Sequence, residues 1–293
     1  MALSVIFALS AGLFYALAAV VQQRVAGQQE DELSLSLRLI WALARRPLWL
    51  AGIAVDLGAY CFEAAALGFG SIIVVGPLMA SGLLFALPFA SFRTGQRVTR
   101  KEMIPAVMIT VGLAVYVAVG SPGGTTSHAP RWAWSAAAAV VIVTSGALVL
   151  LGRRTVEPGR RAVYYGLATG IVYSLTAVLT KATVDRLTPA VLPILGHWQL
   201  YALLLASVVG LVLNQSAFQA GHVAASLPAI SVANPVFAST MGVVLFGEHL
   251  GASSAAAWAI CGIAIVMMIV GTLWLARSPL VTDEVAHVPA LEV

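Results

Sequence analysis

Pro47-Leu-Trp-Leu-Ala-Gly-Ile-Ala-Val-Asp56-Leu-Gly-Ala-Tyr-Cys-Phe-Glu63-Ala-Ala-Ala-Leu67 is apolar at all but a few positions and has no turn signal within it. Residues 47–67 are long enough to cross the ~30 Å hydrocarbon layer, which takes about 20 apolar residues in an α-helix. Two carboxylates interrupt the run, and an acid at the centre of a span costs about 2.5–3.5 kcal/mol to insert. Such a residue usually marks a cavity or a pathway.

Runs of the same kind recur on both sides of this stretch. The 293 residues are 60% hydrophobic and 10% charged, and the mean hydropathy is +0.94. A soluble globular domain is excluded. The expected fold is all-α and polytopic, with nine spans at 2–21, 47–67, 71–91, 103–120, 132–151, 162–181, 194–215, 223–246 and 254–275. Residues 33–44 are also apolar, but they are short and carry Arg38, which suits an interfacial or re-entrant helix. The first run lacks a basic flank and a small-residue cleavage site, so it reads as a retained span. Cys61 and Cys261 lie within spans, with neither disulfide nor metal spacing.

Nine crossings place Arg24, Arg38, Arg45, Arg46, Arg93, Arg97, Arg100, Lys101, Arg153, Arg154, Arg160, Arg161 and Arg277 on one side, which is 13 of the 16 basic residues. The positive-inside rule makes that side cytoplasmic, with the N-terminus outside and the C-terminus inside, in the plasma membrane. The net charge of +4 therefore reports orientation and not a nucleic-acid partner. Residues 278–293 are polar and contain Pro279 and Pro289, the composition of a disordered tail.

The chain also resembles itself. Gly12-Leu-Phe-Tyr-Ala-Leu-Ala-Ala-Val20 matches Gly170-Ile-Val-Tyr-Ser-Leu-Thr-Ala-Val178 at an offset of 158. Further on, Gly70 and Gly221, Pro77 and Pro228, Gly112 and Gly262, and Gly120 and Gly271 pair at offsets of 151, 151, 150 and 151. This divides the chain into a first membrane repeat (1–131), a connecting span and cytoplasmic loop (132–161), a second membrane repeat (162–277) and the tail (278–293). With an odd span between them the repeats are inverted, an arrangement by which secondary transporters obtain two conformations of similar energy around a midplane site.

Pro235-Val-Phe-Ala-Ser-Thr-Met-Gly-Val-Val-Leu-Phe-Gly247-Glu248, followed by Cys261-Gly262-Ile-Ala-Ile, resembles the end of the repeat in the drug/metabolite transporter (EamA-like) superfamily. The first repeat carries Gly95-Gln96 where Gly-Glu is the pattern. Arg46-Pro-Leu-Trp-Leu-Ala-Gly52, Val75-Gly-Pro77 and Leu213-Asn214 are most similar to the NIPA magnesium-transporter branch, whose acid position falls on Asp56, preceded here by Val55 in place of glycine. The resemblance implies a carrier for a small solute, with Mg²⁺ as the cargo.

Asp56 and Glu63 are seven residues apart on one helix face, about 10 Å along the axis. They are too far apart to ligate one bare ion together, yet well placed to pass a hydrated Mg²⁺, which is typically held through its waters by one or two carboxylates. The bland alternative is a buried carboxyl bonded to a neighbouring helix. By the repeat, Glu63 corresponds to Asn214 and Asp56 to Ser207, which gives an outer station at Glu63, a central one at Asp56, and an inner one at Asn214 with Gln215 beside it. Lys181 either pairs with Glu63 as an outer gate or snorkels to the interface, and its counterpart Gln23, with Gln22, reads as interfacial. Ser71 and Asn234 add polar lining. Pro77, Pro228 and Pro235 interrupt their helices and are hinge candidates, or plain packing kinks. Tyr15, Tyr173, His197, Trp198 and His222 could face the cavity, but such residues near span ends usually anchor at the interface. Glu248 and His249 read as solvated in an outer loop.

No metalloprotease, nucleophile-elbow or P-loop pattern is present, so neither an enzyme nor an ATP-driven pump is expected, and no cofactor. Two carrier readings share the same residues: a channel-like or secondary carrier for Mg²⁺, and a proton-coupled exporter of a small organic metabolite, drug or lipid-linked precursor. The partners are the lipid bilayer, the solute and at most a second copy of the chain in a homodimer.

Overall fold

The computed structural model describes residues 2–80, 82, 99–120, 122–123, 129–186, 195–220, 223–250 and 254–275. Expectations that fall elsewhere, namely Gly95-Gln96, Arg93, Arg97, Gly221, His222, Arg277, the third span up to Ser91 and the tail 278–293, lie outside the described residues, as do the side chains of Pro77 and Pro228.

The described chain is helical. The helices are α1 (Ala2–Ala26), α2 (Leu37–Ala44), α3 (Pro47–Phe69), α4 (Ile72–Ala80), α5 (Arg100–Gly120), α6 (Arg131–Arg154), α7 (Pro158–Val184), α8 (Trp198–Ala220), α9 (Val223–Phe246) and α10 (Ala255–Leu275). Among the described residues, extended pairing is confined to Pro122–Gly123 against His249–Leu250 (β1 and β2). Helices α1, α3, α6, α7 and α8 and the 229–246 part of α9 are long and apolar enough to cross a membrane, and Ala255–Gly271 in α10 is a shorter apolar segment. The protein is a polytopic, membrane-embedded helical array.

Its burial pattern suits lipid. Ile142, Val143, Leu150 and Leu151 of α6 are exposed, which carries no penalty where the surrounding medium is itself apolar. In α6, 17% of the span is buried inside the protein, against 72% of α7. Helix α7 is therefore the central strut, and α3, α6, α8 and α9 pack around it. Helix α2 is about 12 Å long at 1.5 Å per residue, too short to cross. It buries Leu39 and Leu43 against Val25, Trp49 and Phe218 and leaves Leu37 and Trp41 exposed, as expected for an interfacial helix.

Side-chain contacts fix which helix ends lie together. At one end Ser4 Oγ donates to Ala66 O at 3.0 Å, and Trp134 packs edge-on against Trp198 and Phe246. The starts of α1, α6 and α8 thus lie with the ends of α3 and α9. At the opposite end the Arg161 guanidinium meets Asp31 at 2.8 Å, Leu35 N donates to Ser216 Oγ at 2.9 Å, and Gln219 donates to Glu30 O. The start of α7 lies there with the ends of α1 and α8, so α1 and α7 run in opposite directions.

The glycine crossings repeat. A Cβ on Gly12 would lie 3.1 Å from Met79 O and 3.2 Å from Gly82 Cα. On Gly170 it would lie 2.8 Å from both Ile230 O and Ala233 Cβ. Met79 and Ile230, like Gly82 and Ala233, are 151 apart, the offset found in the sequence.

The expected interruptions at the prolines are not found. Helices α4 and α9 continue through Pro77, Pro228 and Pro235. A proline in a helix interior removes one backbone bond, and buried surroundings tolerate that without a break.

Candidate functional site

The inner face of α3 carries both acids. Glu63 is buried, and its carboxylate accepts a 2.6 Å hydrogen bond from the Tyr15 hydroxyl of α1. Asp56, two turns earlier, is half-buried. Tyr15 and Tyr173 of α7 both lie within electrostatic reach of the two acids. Glycine makes the room: a Cβ on Gly210 of α8 would come 2.6 Å from the Tyr173 ring. Tyr60 and Thr180 share a 2.7 Å hydrogen bond that ties α3 to α7 beside this group. Tyr15 and Tyr173 therefore face the interior; they are not end anchors.

Toward the Arg161 end the polar line continues. The Gln22 amide lies beside the Asp56 carboxyl, and its Cγ fills the notch at Gly52, where a Cβ would be 2.9 Å away. Gln215 Nε2 donates to Gln22 Oε1 at 2.6 Å, and Trp49 Nε1 donates to Gln215 Oε1 at 3.1 Å. The interfacial reading of Gln22 is thus corrected: it is 1% exposed, and Gln23 is buried as well. Of the expected inner pair, Gln215 joins the line, while Asn214 is buried next to it without a bond to Gln22 or Asp56. Polar groups from α1, α3, α7 and α8 form one file, Glu63 with Tyr15, then Asp56, then Gln22, Gln215 and Trp49.

A second polar cluster lies at the α3–α4 corner. Lys181 is 3% exposed and donates to Leu67 O at 3.3 Å and Gly70 O at 3.0 Å, with Nζ 5.8 Å from the centre of the Phe246 ring. It neither snorkels nor pairs with Glu63. A buried ammonium is instead matched to the unpaired carbonyls at a helix C-terminus. Glu248 is 1% exposed, and its two oxygens accept from Ile72 N at 2.9 Å and Ile73 N at 3.1 Å. The solvated-loop reading is corrected: Glu248 caps the first amides of α4. Gly247, at φ 60°, turns the chain so that this carboxylate reaches across, and Gly242 leaves space for it. Burial is the main influence on the Glu248 carboxyl and pushes it above the usual range, offset in part by the two amide bonds. The sequence signal was the Gly-Glu pair, but nothing local indicated its distant amides.

The remaining expected residues are apart from the file. Ser71 is buried at the start of α4, at the Glu248 corner, with Oγ unpaired. Asn234 packs its backbone against Gly170, and its Oδ1 is buried and unpaired. Pro235 touches the Gly76 position at 3.5 Å, and His197 and Trp198 are exposed. Among the described residues no three His, Cys, Asp or Glu side chains gather as a metal site. Asp56 and Glu63 would hold a cation through its waters or by one carboxylate at a time.

An uncharacterized protein of Corynebacterium glutamicum is 31% identical over 277 residues, covering 94% of this chain and 95% of the relative. The chain belongs to that protein's family. No family model matches the chain, and no solved structure does.

Proposed function

We propose that the protein is a secondary carrier for a small cationic solute, with Asp56 as the central charged station and Glu63 as the outer one. The observation that supports this most is the buried polar file itself. Ionisable groups are costly to place within a membrane, and two acids, two tyrosines, two glutamines and an indole N–H along one interior line are the pattern of a polar pathway.

The fold supports alternation between two states. Antiparallel α1 and α7, and glycine crossings spaced like the sequence repeat, fit two inverted repeats (1–131 and 162–277) within nine crossings, the arrangement typical of drug/metabolite transporters. The Arg161 end, with Arg24, Arg38, Arg45, Arg46, Arg153, Arg154 and Arg160, is the cytoplasmic side of the plasma membrane, and the Glu248 corner is outside. The protein carries out no chemical conversion.

Hydrated magnesium is the cargo that the NIPA resemblance implies. Proton-coupled movement of a small organic cation is the second reading, and the hydrogen bonding at Gln22 favours it. Both are tested by reconstituting the protein in liposomes and following ²⁸Mg²⁺ or radiolabelled amine uptake, with and without an imposed pH gradient. Asp56→Asn should reduce uptake by at least about tenfold and Glu63→Gln by less. Full transport by correctly inserted Asp56→Asn would end this reading.

A further inference from the structure

The hydrogen bonds that end on Gln22 have a direction. The Trp49 indole N–H can only donate, so it selects the oxygen of the Gln215 amide at 3.1 Å. That choice turns Gln215 Nε2 toward Gln22, where it needs an oxygen and finds Oε1 at 2.6 Å. The free end of the chain is therefore Gln22 Nε2. Amide orientation is often ambiguous, but here reversing either glutamine would set two donors against each other. Gln22 is 1% exposed, and its Nε2 lies beside the Asp56 carboxyl without reaching it, or any other acceptor, in full hydrogen-bonding geometry. It sits over Gly52, one turn before Asp56 on the same face of α3.

A carboxylate that invites positive charge thus stands beside a buried amide that can only donate. We propose that Gln22 is a specificity-determining donor of the Asp56 site, and that the site takes a small solute with a hydrogen-bond acceptor beside its positive charge. The charge faces Asp56 and the acceptor takes the Gln22 N–H. This rests on the carrier reading and names the class of its cargo. Fully hydrated magnesium fits poorly: its water oxygens point at the ion, its outer surface is all hydrogens, and it offers the Gln22 N–H no acceptor. Trp49 acts at one remove, as a positioning residue that sets which pole of Gln22 faces the site.

The test uses the full-length protein in detergent, with dissociation constants for ethanolamine, ethylamine and MgCl₂ measured calorimetrically on wild type, Gln22→Met, Trp49→Phe and Asp56→Asn. The two amines differ by one hydroxyl. Wild type should bind ethanolamine about tenfold more tightly than ethylamine. Gln22→Met should bring the two level at the ethylamine value, and Trp49→Phe should shrink the preference because the amides are then free to reverse. Equal binding of the amines by wild type, binding of neither amine, tighter binding of MgCl₂ than of ethanolamine, or a preference that survives Gln22→Met would each overturn the proposal. Asp56→Asn separates the two levels. If it weakens both amines while Gln22→Met keeps the preference, Gln22 alone is misassigned; if it weakens neither, the carrier site itself is misplaced.

Discussion

Lys181 and Glu248 show how a charge at a span end changes meaning once the fold surrounds it. In sequence Lys181 reads as an outer gate or a snorkelling lysine and Glu248 as a solvated loop residue, because local context supplies neither the carbonyls of Leu67 and Gly70 nor the amides of Ile72 and Ile73 that they serve. Asp56 was legible for the opposite reason, since a charge amid apolar neighbours announces itself without any partner. Glu248→Ala should destabilise the protein in detergent by about 1–3 kcal/mol for each buried amide left bare. Glu248→Gln keeps one acceptor and sets its NH₂ against the other amide, so it should fall between. Because burial raises the Glu248 carboxyl, the folded state holds that proton more tightly than the unfolded chain does. Its contribution to stability is then greatest in acid and is lost as pH rises through the raised pKa. Thermal unfolding between about pH 4 and pH 8 should show a smaller fall in Tm for Glu248→Gln than for wild type. The same measurements separate Lys181 from Glu63. The two serve different partners, so Lys181→Met and Glu63→Gln should add in a double-mutant cycle to within about 0.5 kcal/mol, whereas a gate pair would show coupling.

Among the elements, helix positions were readable from apolar runs, and helix ends were less so. Helix α1 was expected to stop at Val21 and α8 at Gln215, yet they continue to Ala26 and Ala220. The polar residues at those ends, Gln22 and Gln215, are inside because other helices pair them, Gln215 with Trp49 and Gln22, and beyond them Gln219 donates to Glu30 O. A polar side chain ends a span only where no partner awaits it. The glycines were legible as a repeat but not in their individual roles. Gly170 lies on a backbone-to-backbone crossing, and its Cβ would meet Ile230 O at 2.8 Å; Gly170→Ala should cost about 1–3 kcal/mol through overpacking. A Cβ on Gly262 would meet nothing within 4 Å, so Gly262→Ala should be neutral or gain up to about 1 kcal/mol in helix propensity. Equal losses in Tm for the two variants would contradict this assignment of close crossings.

For the whole molecule, packing fixes which loops share a face of the membrane, and charge fixes which face is cytoplasmic. The fold groups the loops whatever their orientation: the Asp31–Arg161 ion pair at 2.8 Å puts the 27–36 loop and the α6–α7 connection on one face. The Trp134 contacts with Trp198 and Phe246 put the α6 start with the α9 end on the other. Charge alone assigns that first face to the cytoplasm, through the arginines that cluster there. In a Cys61→Ala, Cys261→Ala background, single cysteines are placed by Glu32→Cys, Glu157→Cys, Pro130→Cys and Ser254→Cys, all at exposed positions. An impermeant maleimide applied to intact cells should label Pro130→Cys and Ser254→Cys, and inverted vesicles should expose Glu32→Cys and Glu157→Cys. If all four exchange sides together, the charge argument fails while the fold and its inverted pairing of α1 with α7 stand. If Glu32→Cys and Glu157→Cys part company, the packing of α7 against α1 and α8 is wrong, and with it the polar file, because Tyr15, Gln22, Tyr173 and Gln215 meet Asp56 and Glu63 only in that packing.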